Sequence, residues 1–371
     1  MPPPPPEPAP PPPVAIAAPM APAEPAAASS GPKFTWGGLV DTYYQYLLNP
    51  GTSVNSLVGV QGRAFDTNTN SATLALSALT LNASLDPVSF QLDLGYGSIG
   101  TIVNSFNFGG TPATIPVTGQ FIILQAYGSI AVLPMLTFDF GKFYTTAGAE
   151  VLPANKNWLY SRSILFKNIP VLHTGARANL KINDMLSLQA SLVNGWNDDP
   201  DFNAHKTVGF SATLTPAPIA TIVATTYIGK EAPQTDPMTG APLPSTPGET
   251  RILVDLVAAL TFSDKLGVNL NFDYIKSQNS ATDSYLVGGA GMVRYVINNH
   301  INIAGRGEFV RIRNVGVNQD LMEGTVMVGL PVGRNFELRP EFRIDFLGQD
   351  AVFATGESQQ ITGTLAALTY F

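Results

Sequence analysis

Between positions 336 and 346 the even-numbered residues are Phe336, Leu338, Pro340, Phe342, Ile344 and Phe346, and the odd-numbered ones are Glu337, Arg339, Glu341, Arg343 and Asp345. Side chains alternate across a β-strand, so this stretch presents one apolar face and one fully ionised face. A strand of that kind requires a different solvent on each side. The rest of the chain has to show whether the pattern repeats and which solvent each face meets.

Composition narrows the choice. Charged residues make up 13% of the 371 positions, against about 25% in typical soluble domains, while hydrophobic residues are an ordinary 45%. A helical membrane protein needs runs of about 18–20 apolar residues, and the sequence has none. Low charge without such runs fits a protein that meets lipid through alternating strands. Cysteine is absent, which excludes disulfides, thiolate metal sites and cysteine nucleophiles. The net charge of −7 argues against nucleic acid as a partner. His173, His205 and His300 are widely separated, so no histidine metal site is expected, and no cofactor.

Two segments divide the chain. Residues 1–33 are almost entirely Pro and Ala, and before Lys33 the only charges are Glu7 and Glu24. This composition predicts a disordered, polyproline-like linker without a packed core. It lacks the basic n-region and apolar h-region of a secretory signal, so no signal peptide is visible in it. Residues 34–371 form the second segment, a series of β-patterned runs.

Sixteen runs are expected, near 34–47, 72–85, 88–97, 121–132, 136–143, 172–182, 186–195, 207–215, 219–228, 250–262, 266–276, 285–297, 301–312, 321–330, 336–347 and 359–371. Short turns follow the even runs, such as Asp86-Pro87, Asn183-Asp184 and Ser263-Asp264-Lys265, and longer connections follow the odd ones. An even strand number with alternating short periplasmic turns and long extracellular loops is the pattern of a bacterial outer-membrane barrel. The predicted fold is therefore all-β, a 16-stranded antiparallel transmembrane β-barrel. Only helices or closed barrels pair every backbone polar group inside a bilayer, and sixteen strands enclose a lumen wide enough for an aqueous channel. The inward faces are expected to be polar, with outer-membrane lipid as the partner of the outward ones.

The chain ends Thr369-Tyr370-Phe371, closing an alternating strand on a terminal Phe. Bacterial outer-membrane proteins very often end this way, and the resemblance implies that Phe371 is read by the barrel-assembly machinery. The segments Gly37-Gly38-Leu39-Val40-Asp41-Thr42-Tyr43-Tyr44, Gly141-Lys142-Phe143, Asn157-Trp158-Leu159-Tyr160-Ser161-Arg162-Ser163, His173-Thr174-Gly175-Ala176-Arg177 and Val193-Asn194-Gly195-Trp196 carry a second likeness. With them the chain from about Phe34 to Phe371 resembles the outer-membrane β-barrel porins known as OmpL-like or porin-2-like. That resemblance implies a diffusion channel and brings no catalytic site. General porins of this size are often trimers, so a homotrimer is an accompanying expectation.

The expected pore-lining residues are Asp93, Asp139, Arg177, Lys181, Arg306, Glu308, Glu337, Arg339, Glu341, Arg343 and Asp345. The connection at residues 144–171 stands where the third extracellular loop of general porins folds inward. Its Lys156, Arg162 and Lys167 are expected to face inward acids such as Asp139, Glu337 and Glu341 and to set up a transverse field; the alternative is a loop that caps the mouth with solvated charges. On this reading Arg343→Glu spares folding and changes selectivity.

Other constellations carry less. Gly95-Tyr96-Gly97-Ser98-Ile99-Gly100 matches G-x-G-x-x-G, but Thr101-Ile102-Val103-Asn104 is expected to lead into a loop rather than a helix, and no acid follows before Asp139. Asp198, Asp199 and Asp201 lack a Gly-punctuated calcium loop and are expected to be solvated. Glu337 and Glu341 lie ~13 Å apart along a strand, too far for retaining glycosidase chemistry and interleaved with arginines. No nucleophile elbow is present, so no catalytic or metal-binding residue is expected.

The functional expectation is a porin for passive diffusion of small hydrophilic solutes. A channel specific for oligosaccharides or anions, or a structural envelope barrel with little conduction, are the alternatives.

Overall fold

A computed structural model describes residues 31–49, 62–108, 120–199, 201, 205–231, 249–278, 283–314, 317–348, 353 and 356–371 of the chain. Most of the Pro/Ala segment, residues 1–30, lies outside them.

Sixteen strands follow one another: β1 (Lys33–Leu47), β2 (Ser71–Leu85), β3 (Val88–Tyr96), β4 (Phe121–Leu133), β5 (Leu136–Tyr144) and β6 (Leu172–Lys181). Next come β7 (Leu186–Val193), β8 (Thr207–Ala217), β9 (Ala220–Glu231), β10 (Glu249–Thr261) and β11 (Leu266–Gln278). β12 (Asp283–Asn298), β13 (Ile301–Asn314), β14 (Val317–Val332), β15 (Phe336–Leu347) and β16 (Gln359–Tyr370) complete the set. Each pairs antiparallel with its neighbours in sequence, and β1 pairs with β16, so the sheet closes on itself. Closure leaves no unpaired edge, which is the condition for crossing hydrocarbon on strands.

The two-residue period sorts the side chains. In β15, Glu337, Arg339, Glu341, Arg343 and Asp345 are buried inside the barrel, while Phe342 and Phe346 are exposed on the outside. The same outward band includes Leu192, Phe210, Phe272, Phe309, Val326 and Leu365. Exposed apolar surface on this scale is costly in water and favourable in lipid.

The inner faces are less uniformly polar than their sequence predicts. Leu253, Val257, Val310, Met327 and Leu368 point inward and are buried with Leu39 and Tyr43 in one apolar cluster. The reason is the connection between β5 and β6, whose Leu152, Leu159, Tyr160, Leu165 and Phe166 fill that cluster from within. The hydrophobic core of this barrel is thus a patch of wall covered by a loop.

The seam between first and last strands is tied at the terminus. Gly38 N–H donates to the Phe371 carbonyl at 3.2 Å and Phe371 N–H returns a bond to Gly38 O at 3.1 Å. The Phe371 ring meets Trp36 edge-on at 4.9 Å between centroids. A Cβ at position 38 would lie 2.6 Å from Cζ of that ring, so any larger residue there has to push the exposed Phe371 ring aside.

Pro340 removes one ladder donor. On the β16 side it stays in register opposite Leu365. On the β14 side pairing runs from Leu321↔Leu347 to Met327↔Glu341, pauses, and resumes at Leu330↔Leu338 without a register shift. The proline is absorbed by a gap in the pairing rather than by a bulge.

One sequence expectation is corrected here. A helix does follow Gly95-Tyr96-Gly97, namely α1 (Ser98–Phe108), where a loop was expected. Its Ile99 and Val103 are completely buried, and it packs against β2, β3 and β4. Those apolar residues sit four apart, one helical turn, so burial stabilises a helix in a segment otherwise rich in Gly, Ser and Thr. The carboxylate a dinucleotide site needs is still missing from the sequence up to Asp139.

Two substitutions test the face assignment and the seam. Phe342→Arg should cost about 2–4 kcal/mol of barrel stability if the site lies near the bilayer midplane, read from urea unfolding in vesicles. Gly38→Val should displace the Phe371 ring and cost about 1–3 kcal/mol by overpacking, read by the same method.

Candidate functional site

Residues 145–171 leave β5 and return to β6 through the inside of the barrel. In a ring of sixteen, β13 and β14 stand opposite β5 and β6, and the loop reaches that far wall. Tyr160 Oη donates to Asp41 of β1 at 3.0 Å, and Arg306 of β13 donates to Ser161 O at 2.8 Å. Nearer its base the loop meets β9 and β11, where Thr146 pairs with Tyr227 Oη at 3.1 Å and Ala149 N–H donates to Asn271 at 3.3 Å. The loop therefore crosses the lumen and does not cap the mouth.

Its internal order comes from side chains that substitute for a backbone partner. Asn157 accepts from Val151 N–H at 2.9 Å and donates to Val151 O at 2.7 Å. Arg162 donates to the carbonyls of Val151, Leu152 and Tyr160, and its guanidinium lies 5.9 Å from the Phe65 ring centre. A short helix, α2 (Ile164–Asn168), is capped by Ser163, which accepts from Phe166 N–H at 3.0 Å.

The wall holds this loop by its backbone. Glu341 accepts from Tyr160 N–H at 2.7 Å and Ser161 N–H at 3.1 Å, and Glu308 accepts from Ile164 and Leu165 N–H, both at 2.7 Å. The arginines take the carbonyls: Arg343 donates to Arg162 O at 2.7 Å, and Arg339 donates to Ala154 O at 2.8 Å and Asn157 O at 3.0 Å. Charge-assisted bonds of this kind are roughly twice as strong as neutral ones. A backbone held this way also avoids the cost of unpaired N–H and C=O groups in a crowded interior.

The same side chains form an ordered chain of alternating charge. Arg306 pairs with Glu150 of the loop at 2.9 Å and with Glu323; Glu323 lies 3.6 Å from Arg343, and Arg343 pairs with Asp345 at 2.8 Å. Arg63, from the connection after β1, donates to Asp345 at 2.9 Å and pairs with Asp66 at 2.9 Å. Register makes this possible, because Glu308, Glu323 and Asp345 stand side by side on β13, β14 and β15. Three adjacent carboxylates repel strongly unless cations lie between their rows, and Arg306 and Arg343 occupy the next row, separated by Thr325.

These contacts revise the expected pairing. Asp139 binds Arg177 at 2.7 Å and Asn179 at 2.9 Å, and Glu337 binds Arg339 at 2.8 Å, so neither meets a basic side chain of the loop. Arg162 is buried within its own loop, bonded to loop carbonyls, and forms no ion pair with Asp139, Glu337 or Glu341. The expected benign exchange of Arg343 for Glu is also overturned, since Arg343 is enclosed between Glu323 and Asp345.

The remaining candidates sit as follows. Asp93 accepts from Gln91 and Gln125, and Lys181 pairs with Asp184 of the following turn. The aspartates 198, 199 and 201 do not converge: Asp198 is buried, Asp199 pairs with Lys142 at 3.2 Å, and Asp201 pairs with Lys206. No group of metal-ligating side chains is present among the described residues. Sequence reasoning missed Arg63, Asp66 and Glu323 as members of the network. Strand parity marks Glu323 as inward beside Thr325 and Met327, whereas nothing in the sequence around Arg63 signals its reach to β15.

An asymmetry results. All ten inward carboxylates of the strand walls named here, Asp41, Asp93, Asp139, Asp255, Asp273, Glu308, Glu323, Glu337, Glu341 and Asp345, are at most 6% exposed. Among cations, Lys156 and Lys167 of the loop are exposed, and Arg177, Arg251 and Arg294 of the inner wall are half-buried. Lys156 and Lys167 have no ion-pair partner among the described residues. Water reaches Lys167, but loop and wall atoms crowd it, and that desolvation lowers its pKa from the usual lysine value.

Glu341→Gln should weaken the loop's attachment by about 1.5–3 kcal/mol, the range for a hydrogen bond to a charged group, and raise open-channel current noise while leaving the barrel folded. Arg343→Glu should instead lower barrel stability by about 3–5 kcal/mol, because it leaves buried carboxylates uncompensated; urea midpoints of the two variants check both.

Comparison with known proteins agrees with this architecture. The family described as "Putative beta-barrel porin-2, OmpL-like" matches residues 33–371. No match is found among curated protein sequences. Among solved structures, in-vitro folded OmpT, an outer-membrane protein of Vibrio cholerae, superposes with a TM-score of 0.62 at 11% identity, covering 93% of this chain and 99% of that one. The anion-selective porin of Comamonas acidovorans gives 0.58 at 10% identity, covering 92% and 100%. OprB of Pseudomonas putida gives 0.53 at 14%, covering 92% and 94%. The family match spans nearly all of the chain beyond its Pro/Ala segment, and the chain belongs to this OmpL-like porin-2 family of the bacterial outer membrane.

Proposed function

We propose that the protein is a non-enzymatic porin in which small hydrophilic solutes and ions cross the outer membrane by passive diffusion past the loop at residues 145–171. The observation that carries this reading is the clamp itself. Carboxylates and arginines of the far wall hold the loop's backbone across the lumen, which narrows a sixteen-stranded barrel without plugging it by a separate domain. The residues expected to line the pore divide into three sets in this reading. Arg306, Glu308, Arg339, Glu341 and Arg343 fix the loop, Glu337 and Asp345 brace those arginines, and Asp93, Asp139, Arg177 and Lys181 bond elsewhere on the inner wall.

A homotrimer accompanies this reading. The folded Vibrio cholerae OmpT structure has a trimer form, and the outward apolar band described above suits either lipid or another barrel.

Reconstitution in a planar bilayer tests the channel. Stepwise single-channel conductance that scales with bulk salt concentration is expected, together with liposome swelling in small neutral sugars that falls off with sugar size. Insertion without conductance or swelling would leave the structural-barrel reading in its place. Swelling by one sugar class alone would favour a specific channel.

A further inference from the structure

Above the crossing loop, toward the extracellular ends of β10 to β13, a cavity of about 330 Å³ opens between α2 and the inner wall. Lys167 and Asn168 line it from α2, Trp196 from the connection after β7, and Arg251, Ser277 and Ser284 from the strands. No carboxylate is among the residues that line it. Arg251 is held in place: its Nε donates to Ser277 Oγ at 3.2 Å, and its guanidinium lies 5.0 Å from the Trp196 ring centre. Lys167 adds a second positive charge and is open to water.

We propose that this cavity is an anion-binding subsite of the channel, taking the oxyanion group of a small polar solute, a carboxylate or a phosphate, before it passes the loop. The inference rests on the channel reading above and deepens it by naming a solute class. Three observations support it. Two cations and several hydroxyl and amide groups converge on a space large enough for a small organic acid. The acids nearest the loop, Glu308, Glu323, Glu341 and Asp345, are buried in its clamp, so the net charge of −7 does not by itself set the charge a solute meets at the cavity. Arg251 covers a face of Trp196, which leaves that face unavailable for stacking a sugar ring. Burial lowers the pKa of Lys167, so binding should be full while its ammonium is protonated and decline as pH rises through that pKa.

The test uses the full chain in a planar bilayer, with reversal potentials in a KCl gradient and current block by succinate, by inorganic phosphate and by neutral maltose. An anion-selective potential is expected, with block by succinate or phosphate and none by maltose; which of the two blocks at lower concentration identifies the preferred oxyanion. In Lys167→Gln the apparent affinity for the blocker should fall about tenfold, as for loss of one charge-assisted contact. Lys167→Arg should retain the block, and Lys265→Gln in a periplasmic turn should match the parent. Cation selectivity, equal block in Lys167→Gln, or block by maltose at the same concentrations as succinate would overturn the proposal. Calorimetric titration of the detergent-solubilised protein with succinate and phosphate reads the site without conduction. Binding there by a barrel that does not conduct would uphold the subsite and sink the channel reading, and conduction without binding would do the reverse.

Discussion

Hydrocarbon offers no hydrogen-bond partner, and the whole molecule follows from that deprivation. Every strand must be paired on both sides, so the sheet has to close, and closure depends on β1 meeting β16 in register. The terminal Phe371 is part of that register through its backbone bonds to Gly38 and its ring against Trp36. A Cβ at residue 38 would collide with the ring. One missing donor, at Pro340, is tolerated because pairing resumes in the same register beyond it.

Closing the sheet creates the second demand. A lumen of sixteen strands is too wide for wall side chains to fill, and the chain crosses it with a loop whose own backbone then needs partners. Glu308 and Glu341 supply acceptors, and Arg306, Arg339 and Arg343 supply donors. These groups are deeply buried, and buried ions are stable only when matched. The alternation Glu150, Arg306, Glu323, Arg343, Asp345, Arg63, Asp66 provides the match. The opening motif of β15 is thus explained by what it carries. Its two-residue spacing puts donors and acceptors in turn along one line of wall, which is the arrangement needed to hold both the N–H and the C=O groups of a crossing chain.

The period-two pattern made the sixteen strands legible, and the long and short connections ordered them. Strand ends differed by a few residues, chiefly where β12 and β14 run further than their apolar alternation does. What stayed illegible has a common cause. The partners of Arg162 are carbonyls of its own loop, and the partners of Glu341 are backbone N–H groups. Backbone groups have no identity in a sequence, so a reading that pairs charges with charges assigns Arg162 to the pore and Glu341 to a counter-ion. Arg63 was hidden for a different reason: it lies in a connection without periodicity and reaches residue 345 only after the barrel has closed. α1 was missed because two buried residues, Ile99 and Val103, outweigh a composition that favours a loop.

Formal charge is the last quantity that folding reinterprets. The sequence carries seven more acids than bases, and a count of that kind points to a cation-attracting surface. Yet a carboxylate that accepts two backbone N–H groups or two guanidinium bonds is withdrawn from water, and its field is largely cancelled a few ångströms away. Glu308, Glu341 and Asp345 are used in this way, while Lys156 and Lys167 stay exposed on the loop. These acids serve architecture, and Lys156 and Lys167 remain among the charges open to water on the loop. The requirement to hold the loop thus consumes carboxylates such as Glu308 and Glu341, and the anion subsite proposed above rests on that use.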